Sequence, residues 1–202
     1  MRGDKSTWLQ PVTLRTPRAT LEPLGVHHHD GLVEAVSDGE QWRLWYTGVP
    51  APEAMQKEIE RRLGLQATGS MLPFTVVDNQ TGRIAGMTTY MNIDAANRRV
   101  EIGSTWYRGS VQQTTLNSSC KLALLTHAFD TLACIAVEFR TSFFNFASRR
   151  AIERLGAKQD GILRSHQLHA DGSLRDTVVF SIIASEWPAV RQHLMRRIDR
   201  PR

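Results

Sequence analysis

Residues 110–129 read SVQQTTLNSSCKLALLTHAF, a polar loop that turns into an apolar helix. The loop half holds three amides (Gln112, Gln113, Asn117) and five hydroxyls (Ser110, Thr114, Thr115, Ser118, Ser119). It follows a strand-like run, RRVEIGSTWY (98–107), and opens directly into the helix. Many α/β proteins hold a phosphate at such a place, because free N–H groups and the helix dipole both favour an anion. Yet the stretch has no glycine after Gly109, and glycine is what normally permits positive φ or a close backbone approach. Two readings stand side by side: a phosphate loop without its glycine, or a helix start capped by Ser, Thr and Asn.

Working outward, the 202-residue chain has the length and composition of one globular domain, with 41% apolar and 22% charged residues. The net charge of +5 makes anionic partners more favourable. Part of that excess sits at the end of the chain, on Arg196, Arg197, Arg200 and Arg202, where a basic helix end suits the dipole. No RNA- or DNA-binding signature is visible, so nucleic acid is not expected as a partner. Cys120 and Cys134 lie in apolar runs without metal or CxxC spacing and read as free thiols of a cytoplasmic protein. No stretch approaches the length of a membrane span, and MRGDKSTWLQP lacks a signal core. The expected organisation is an N-terminal arm (1–12), one domain (13–198) and a basic tail (199–202).

The pass along the chain predicts an edge strand over 13–24, interrupted by Pro17. A helical segment over 27–46 follows, with Asp30 as its N-cap. A clearer helix spans 52–67, with Pro52 in its first turn and Met55, Ile59 and Leu63 forming an inward stripe. PFTVVD (73–78) and RIAGMTTYMNI (83–93) make a hairpin around NQTG, and the strand 98–107 pairs with the second arm. The quoted helix runs to Asp130. A strand over 135–143, a short helix over 145–157 with Gly156 at its end, a strand pair over 157–183 and a helix over 184–198 behind Ser185 complete the chain. The fold class is α/β, one mixed sheet with helices on both faces. HHHD (27–30) does not make a metal site, because adjacent histidines on one regular element cannot all face one ion. Trp42, Trp45 and Tyr46, at near-helical spacing, are either core or the lining of a pocket.

This order of elements, with four local marks, resembles the GCN5-related N-acetyltransferase (GNAT) superfamily, and within it the group of ribosomal-protein N-terminal acetyltransferases. LRTPRATLEPL is similar to that group's opening strand, and VEIG with Trp106 to the strand before the cofactor loop. QQTTLNSSCKLALLTHAF resembles the loop and helix that hold the coenzyme A pyrophosphate. NFASRRAIERLGA resembles the later Asn-x-x-Ser helix. The family loop, Gln/Arg-x-x-Gly-x-Gly/Ala, runs here Gln112, Gln113, Thr114, Thr115, Leu116, Asn117, so Thr115 stands where the family has its glycine. Ser119 stands where relatives often have Glu. Threonine tolerates positive φ poorly, so a working loop must keep negative φ at Thr115.

The resemblance implies a fold in which a mostly antiparallel sheet splays between two parallel strands. It also implies direct transfer of an acetyl group from acetyl-coenzyme A, as co-substrate, to a primary amine, either a protein N-terminus or a small molecule. Cofactor contacts fall on Ser104, Thr105, Trp106, Gln112, Gln113, Thr114, Thr115, Leu116, Asn117, Ser118 and Asn145. The pantetheine arm fits between the strand of Ser104–Trp106 and IAVEFRT like an added strand. Glu101 is the first choice for the base, with Glu138 or water as alternatives. Ser148 is the best match for the group that returns a proton to the thiolate, since no tyrosine follows Tyr107. The missing glycine and tyrosine leave open a weak or inactive coenzyme A-binding module. Dimers are frequent in the family, so a homodimer is an open expectation.

Overall fold

The structure, a computed structural model, describes residues 8–169 and 171–199. The first seven residues of the arm and residues 200–202 of the tail lie outside the described residues. Residues 8–12 of the arm lie against the core, where the Trp8 indole donates to the Leu132 carbonyl at 3.2 Å.

One eight-stranded sheet carries the fold, in the order β1-β2-β3-β4-β5-β6-β8-β7. β1 (Leu14–Arg15) and β2 (Ala19–Pro23) pair antiparallel, so the predicted edge strand is in fact two. Pro17 does not interrupt a strand but sits in the turn between them, where its fixed φ costs nothing. β3 (Met71–Asp78), β4 (Arg83–Asp94) and β5 (Arg99–Tyr107) form the predicted meander. β6 (Ala136–Ser142) then runs parallel to β5, and the hairpin β7 (Lys158–Leu168) and β8 (Leu174–Ile183) closes the sheet.

Helices cover both faces. α1 (His29–Ser37) and α2 (Met55–Ala67) bury Leu32, Val36, Met55 and Ile59 against Met87 and Trp106 on one face. α3 (Leu116–Thr126) and α5 (Trp187–Asp199) bury Leu116, Leu124, Leu125, Val190 and Leu194 on the other. α4 (Phe146–Glu153) follows β6, with Ile152 and Leu155 inward and Gly156 at φ +98° beyond its end. Among the described residues, no helix is long and apolar enough to cross a membrane.

Three helix expectations need correction. The segment 27–46 is not one helix: α1 stops at Ser37, because Gly39 (φ +107°) and Glu40 (φ +48°) turn the chain left-handed. Trp42, Trp45 and Tyr46 therefore do not share a helix face. Asp30 lies in the first turn of α1 rather than at its cap, which is His28. That histidine is buried, with Nδ1 3.0 Å from both the Gly25 amide and the Thr75 hydroxyl, and Nε2 3.3 Å from Glu22. α5 starts at Trp187 rather than directly after Ser185.

Candidate active site

The site is built where the sheet comes apart. β5 and β6 pair only at Arg99–Ala136, Val100–Val137 and Glu101–Glu138. Beyond that they diverge, so Gly103–Tyr107 of β5 and Phe139–Ser142 of β6 turn unpaired backbone toward each other. An extended chain inserted there would satisfy both edges. The divergence has a local cause. On β5, Ser104 and Thr105 together oppose the single residue Thr88 of β4, which is a β-bulge, and Ser104 takes φ +46°.

That bulge is held from above by a residue the sequence pattern did not expose. Arg62 of α2 is buried, with 2% of its surface accessible. Its Nη1 and Nη2 each lie 3.3 Å from the Ser104 carbonyl, Nη1 donates to the Thr89 hydroxyl at 2.7 Å, and Nε donates to Glu58 at 2.7 Å. Beneath the bulge, Lys121 of α3 is also buried and donates to Thr105 at 2.9 Å and to Thr88 at 3.3 Å. Burial pulls its ammonium pKa down to about 8. Neither residue had a sequence signal: Arg62 interrupts an apolar stripe and Lys121 looks like an ordinary helix-surface lysine.

The loop after β5 is clamped by the end of α1. The Gly109 amide donates to the Asp38 carbonyl at 2.6 Å, and the Ser110 hydroxyl (2.7 Å) and Arg108 Nε (3.0 Å) reach the Asp38 carboxylate. Those bonds, Ser110 first, hold the Asp38 carboxyl below its ordinary pKa against the opposing effect of burial. Gly39 is required by the same contact: a Cβ there would sit 3.0 Å from Gly109 Cα. The Gln112 side chain donates to the Tyr107 carbonyl at 3.2 Å.

The glycine question has a geometric answer. Thr115 has φ −78° and ψ −6° as the first residue flanking α3, which a threonine adopts freely. The left-handed residue of the loop is Gln113, at φ +60°. Thr114 is engaged locally: its hydroxyl donates to the Val111 carbonyl (2.6 Å) and accepts from the Leu116 amide (3.2 Å). Gln112 and Gln113 are exposed, and Thr115 and Asn117 half-exposed, at the helix start, where the first amides lack intrahelical partners. Leu116, Ser118 and Trp106 are buried, so Leu116 and Trp106 have only main-chain groups to offer a ligand. The N-terminus of α3 and the gap between β5 and β6 lie at the two ends of one strand and its loop. These free edges and amides fit an extended arm ending in phosphates.

At the closed end of the gap, a cleft of about 170 Å³ is lined by Asn92, Asp94, Arg99, Val100, Glu101, Glu138 and Arg140. Glu101 is 5% exposed, accepts from Asn92 Nδ2 at 2.6 Å and lies 3.5 Å from Arg140. Burial outweighs these partners and raises its pKa. Gly103 leaves room for it: a Cβ there would meet Glu101 Oε1 at 2.8 Å. For Glu138 the balance is reversed, since bonds from Arg99 (2.5 Å) and Arg140 (2.9 Å) overcome the effect of burial and lower its pKa. Asn145 caps α4, its Oδ1 accepting from the Ser148 amide at 3.0 Å. Ser148 is half-buried in the first turn of that helix.

Over the wide end stands a ring of aromatics. Trp45, from the α1–α2 connection, lies 5.6 Å from Phe144 after β6 and 5.1 Å from His169 in the β7–β8 turn. Arg149 covers the Phe143 ring at 4.9 Å. Trp45 and Phe144 are more than half exposed.

The comparisons agree with this architecture. The family model described as the Acetyltransferase (GNAT) domain matches residues 18–158. The protein named "Putative ribosomal N-acetyltransferase YdaF" of Bacillus subtilis strain 168 is 30% identical over 106 residues, 52% of this chain and 57% of that one. The chain thus spans little more than half of that relative's length. The crystal structure of a GCN5-related N-acetyltransferase from Brucella melitensis superposes with a TM-score of 0.85 at 30% identity, over 94% of this chain and 86% of that one. Mycobacterium smegmatis RimJ, solved in complex with CoA-disulfide, shares the fold at a TM-score of 0.75 and 22% identity, over 95% and 96% of the two chains. A bulged strand diverging from its parallel neighbour into a helix N-terminus, matched by the family model over most of the domain, places this chain in the GNAT acetyltransferase family.

Proposed function

We propose that the protein transfers an acetyl group from acetyl-coenzyme A to a primary amine, in a complex that holds both at once. The observation that carries this reading is the gap between β5 and β6, with a buried carboxylate of raised pKa at one end and the α3 amides at the other. The co-substrate supplies an activated thioester; everything else is done by the chain. Amides at the start of α3, with Gln113, Thr115 and Asn117 around them, take the pyrophosphate. The open edges of Gly103–Tyr107 and Phe139–Ser142 take the pantetheine arm, and Asn145 stands at the mouth of that channel. A main-chain N–H at the Ser104–Trp106 bulge donates to the thioester oxygen as it gains charge. Arg62 and Lys121 keep that bulge in place from its two faces.

Glu101 serves as the base that removes the proton from the incoming ammonium, because only a neutral amine attacks. Burial raises the Glu101 pKa while Arg99 and Arg140 lower that of Glu138, which supports Glu101 rather than Glu138 as the base. Ser148 relays a proton to the departing thiolate. The acceptor enters beside the Trp45–His169 contact. Calorimetry with acetyl-coenzyme A, followed by coenzyme A release with a panel of amines, tests the reading. Absence of binding at near-millimolar ligand overturns it.

A further inference from the structure

The wide end of the gap contains donors that nothing in the fold uses. Glu138, Arg140 and Ser142 alternate along β6 toward one face, the face of Glu101, and β8 sets Thr177 opposite Ser142 with Arg175 next on the same face. The Ser142 hydroxyl is fully buried and has no hydrogen-bond partner among the described residues. Arg175 Nε is likewise buried and unpartnered, while Nη1 donates to the neutral Gln167 amide oxygen at 2.8 Å. Arg140, its neighbour on β6, is already committed to Glu138 and Glu101. Arg175 forms no ion pair with a carboxylate among the described residues, yet it is close enough to Glu101 for each to feel the other's charge. His169 Nε2, in the β7–β8 turn against the Trp45 ring, is a further buried nitrogen without a partner among the described residues. Buried donors left unmade are costly, and a guanidinium with one free edge is shaped for a carboxylate.

Resting on the acetyltransferase reading above, we infer that Arg175 and Ser142 form an acceptor subsite for a carboxylate borne close to the reacting amine. The acceptor class is then an amino acid, or a polypeptide whose N-terminal residue is acidic, rather than a plain alkylamine or polyamine. The arrangement is self-consistent in charge. The ammonium faces Glu101 on β5, and its neighbouring carboxylate faces Arg175 on β8, two strands away across β6. Arg175 acts on specificity and does not touch the reacting atoms.

The test compares paired acceptors in a coenzyme A release assay: β-alanine against propylamine, and a peptide beginning with Asp against the same peptide beginning with Asn. The first pair reports free amino acids and the second polypeptide N-termini. The expected result is a kcat/KM preference of about 10- to 100-fold for the carboxylate member of at least one pair, carried by KM. In Arg175→Met that preference falls toward one, and Arg175→Lys restores part of it, with melting temperature and acetyl-coenzyme A binding as controls of folding. Equal kcat/KM within both pairs, or a preference that survives Arg175→Met, overturns the inference while the acetyltransferase reading stands. Acetyl-coenzyme A that binds without acetylating any amine overturns both.

Discussion

The loop geometry predicts that two glycine substitutions, two residues apart, act in opposite directions. Gln113 holds φ +60° and Thr115 holds φ −78°. Left-handed backbone costs an ordinary residue about 1–2 kcal/mol that glycine does not incur. Any change to glycine also loses about 0.4–1 kcal/mol by loosening the unfolded chain. Gln113→Gly therefore changes stability by about 0 to +1.6 kcal/mol, the strain relieved less that loss. Thr115→Gly relieves nothing, and since the Thr115 side chain makes no cap bond, it loses only the entropic part, about 0.4–1 kcal/mol. The difference between the two variants isolates the strain, about 1–2 kcal/mol, which for a chain of this size is about 2–8 °C in melting temperature. Differential scanning calorimetry of both variants, with titration of acetyl-coenzyme A, measures it. If Thr115→Gly melts as high as Gln113→Gly, or binds acetyl-coenzyme A more tightly than the parent, the left-handed residue is at 115 and the reasoning fails.

Glu101→Gln should lower kcat by about 10²- to 10⁴-fold near neutral pH, and the gap should narrow as alkaline pH supplies neutral amine without a base; a constant ratio from pH 6 to 10 would contradict the role. The raised Glu101 pKa also means that ionising it costs stability once pH exceeds the ordinary carboxylate range, so the variant should melt no lower than the parent at pH 7. Arg62→Met leaves the buried Thr89 hydroxyl and the Ser104 carbonyl without their donor; a loss of about 1–3 kcal/mol and a raised KM for acetyl-coenzyme A are expected, and an unchanged melting curve would count against the support that Arg62 gives the bulge. Lys121, with a folded pKa of about 8 against an ordinary 10.5, binds its proton more weakly folded than unfolded. The folded state should therefore gain up to roughly 3 kcal/mol relative to Lys121→Met as pH rises from about 8 to 10.5. Parallel chemical denaturation at pH 7 and pH 10 reads that gain, and a gap independent of pH would refute it.

Much of the architecture was legible because it rests on short-range pattern. Alternation over 98–107, the helix stripe of Met55 and Ile59 and the polar loop before an apolar helix each survive as β5, α2 and α3. What the pattern missed are effects that depend on distant partners. Gly39 and Glu40 break α1 because a loop seventy residues away must approach Gly39 closely, and no local signal says so. Arg62 interrupts an otherwise apolar face, and its partners there beyond Glu58, the Ser104 carbonyl and the Thr89 hydroxyl, come from strands distant in sequence. Glu101 could be placed on a strand face from alternation, but the opposite pKa shifts of Glu101 and Glu138 follow from the burial of the first and the bonds of Arg99 and Arg140 to the second. The Thr115 question needed a torsion angle, which composition does not contain. The unpartnered Ser142 hydroxyl and Arg175 Nε are visible only once β6 and β8 are in register.

The three-residue parallel ladder between β5 and β6 has a mechanical meaning. It is a seam: five strands lie on one side, three on the other, and the backbone welds them at a single short stretch. A ligand lying in the gap would stitch that seam along its whole open length, so occupancy and cohesion become one property. Those amides of Gly103–Tyr107 and Phe139–Ser142 that point into the gap, rather than toward β4 and β8, should then exchange quickly with solvent in the free protein and slow together on saturation. The melting temperature should climb with ligand concentration by the increment mass action allows, about 2.7 kcal/mol at a hundredfold excess over Kd. A protein stitched in this way is weakest along the seam when its co-substrate is scarce.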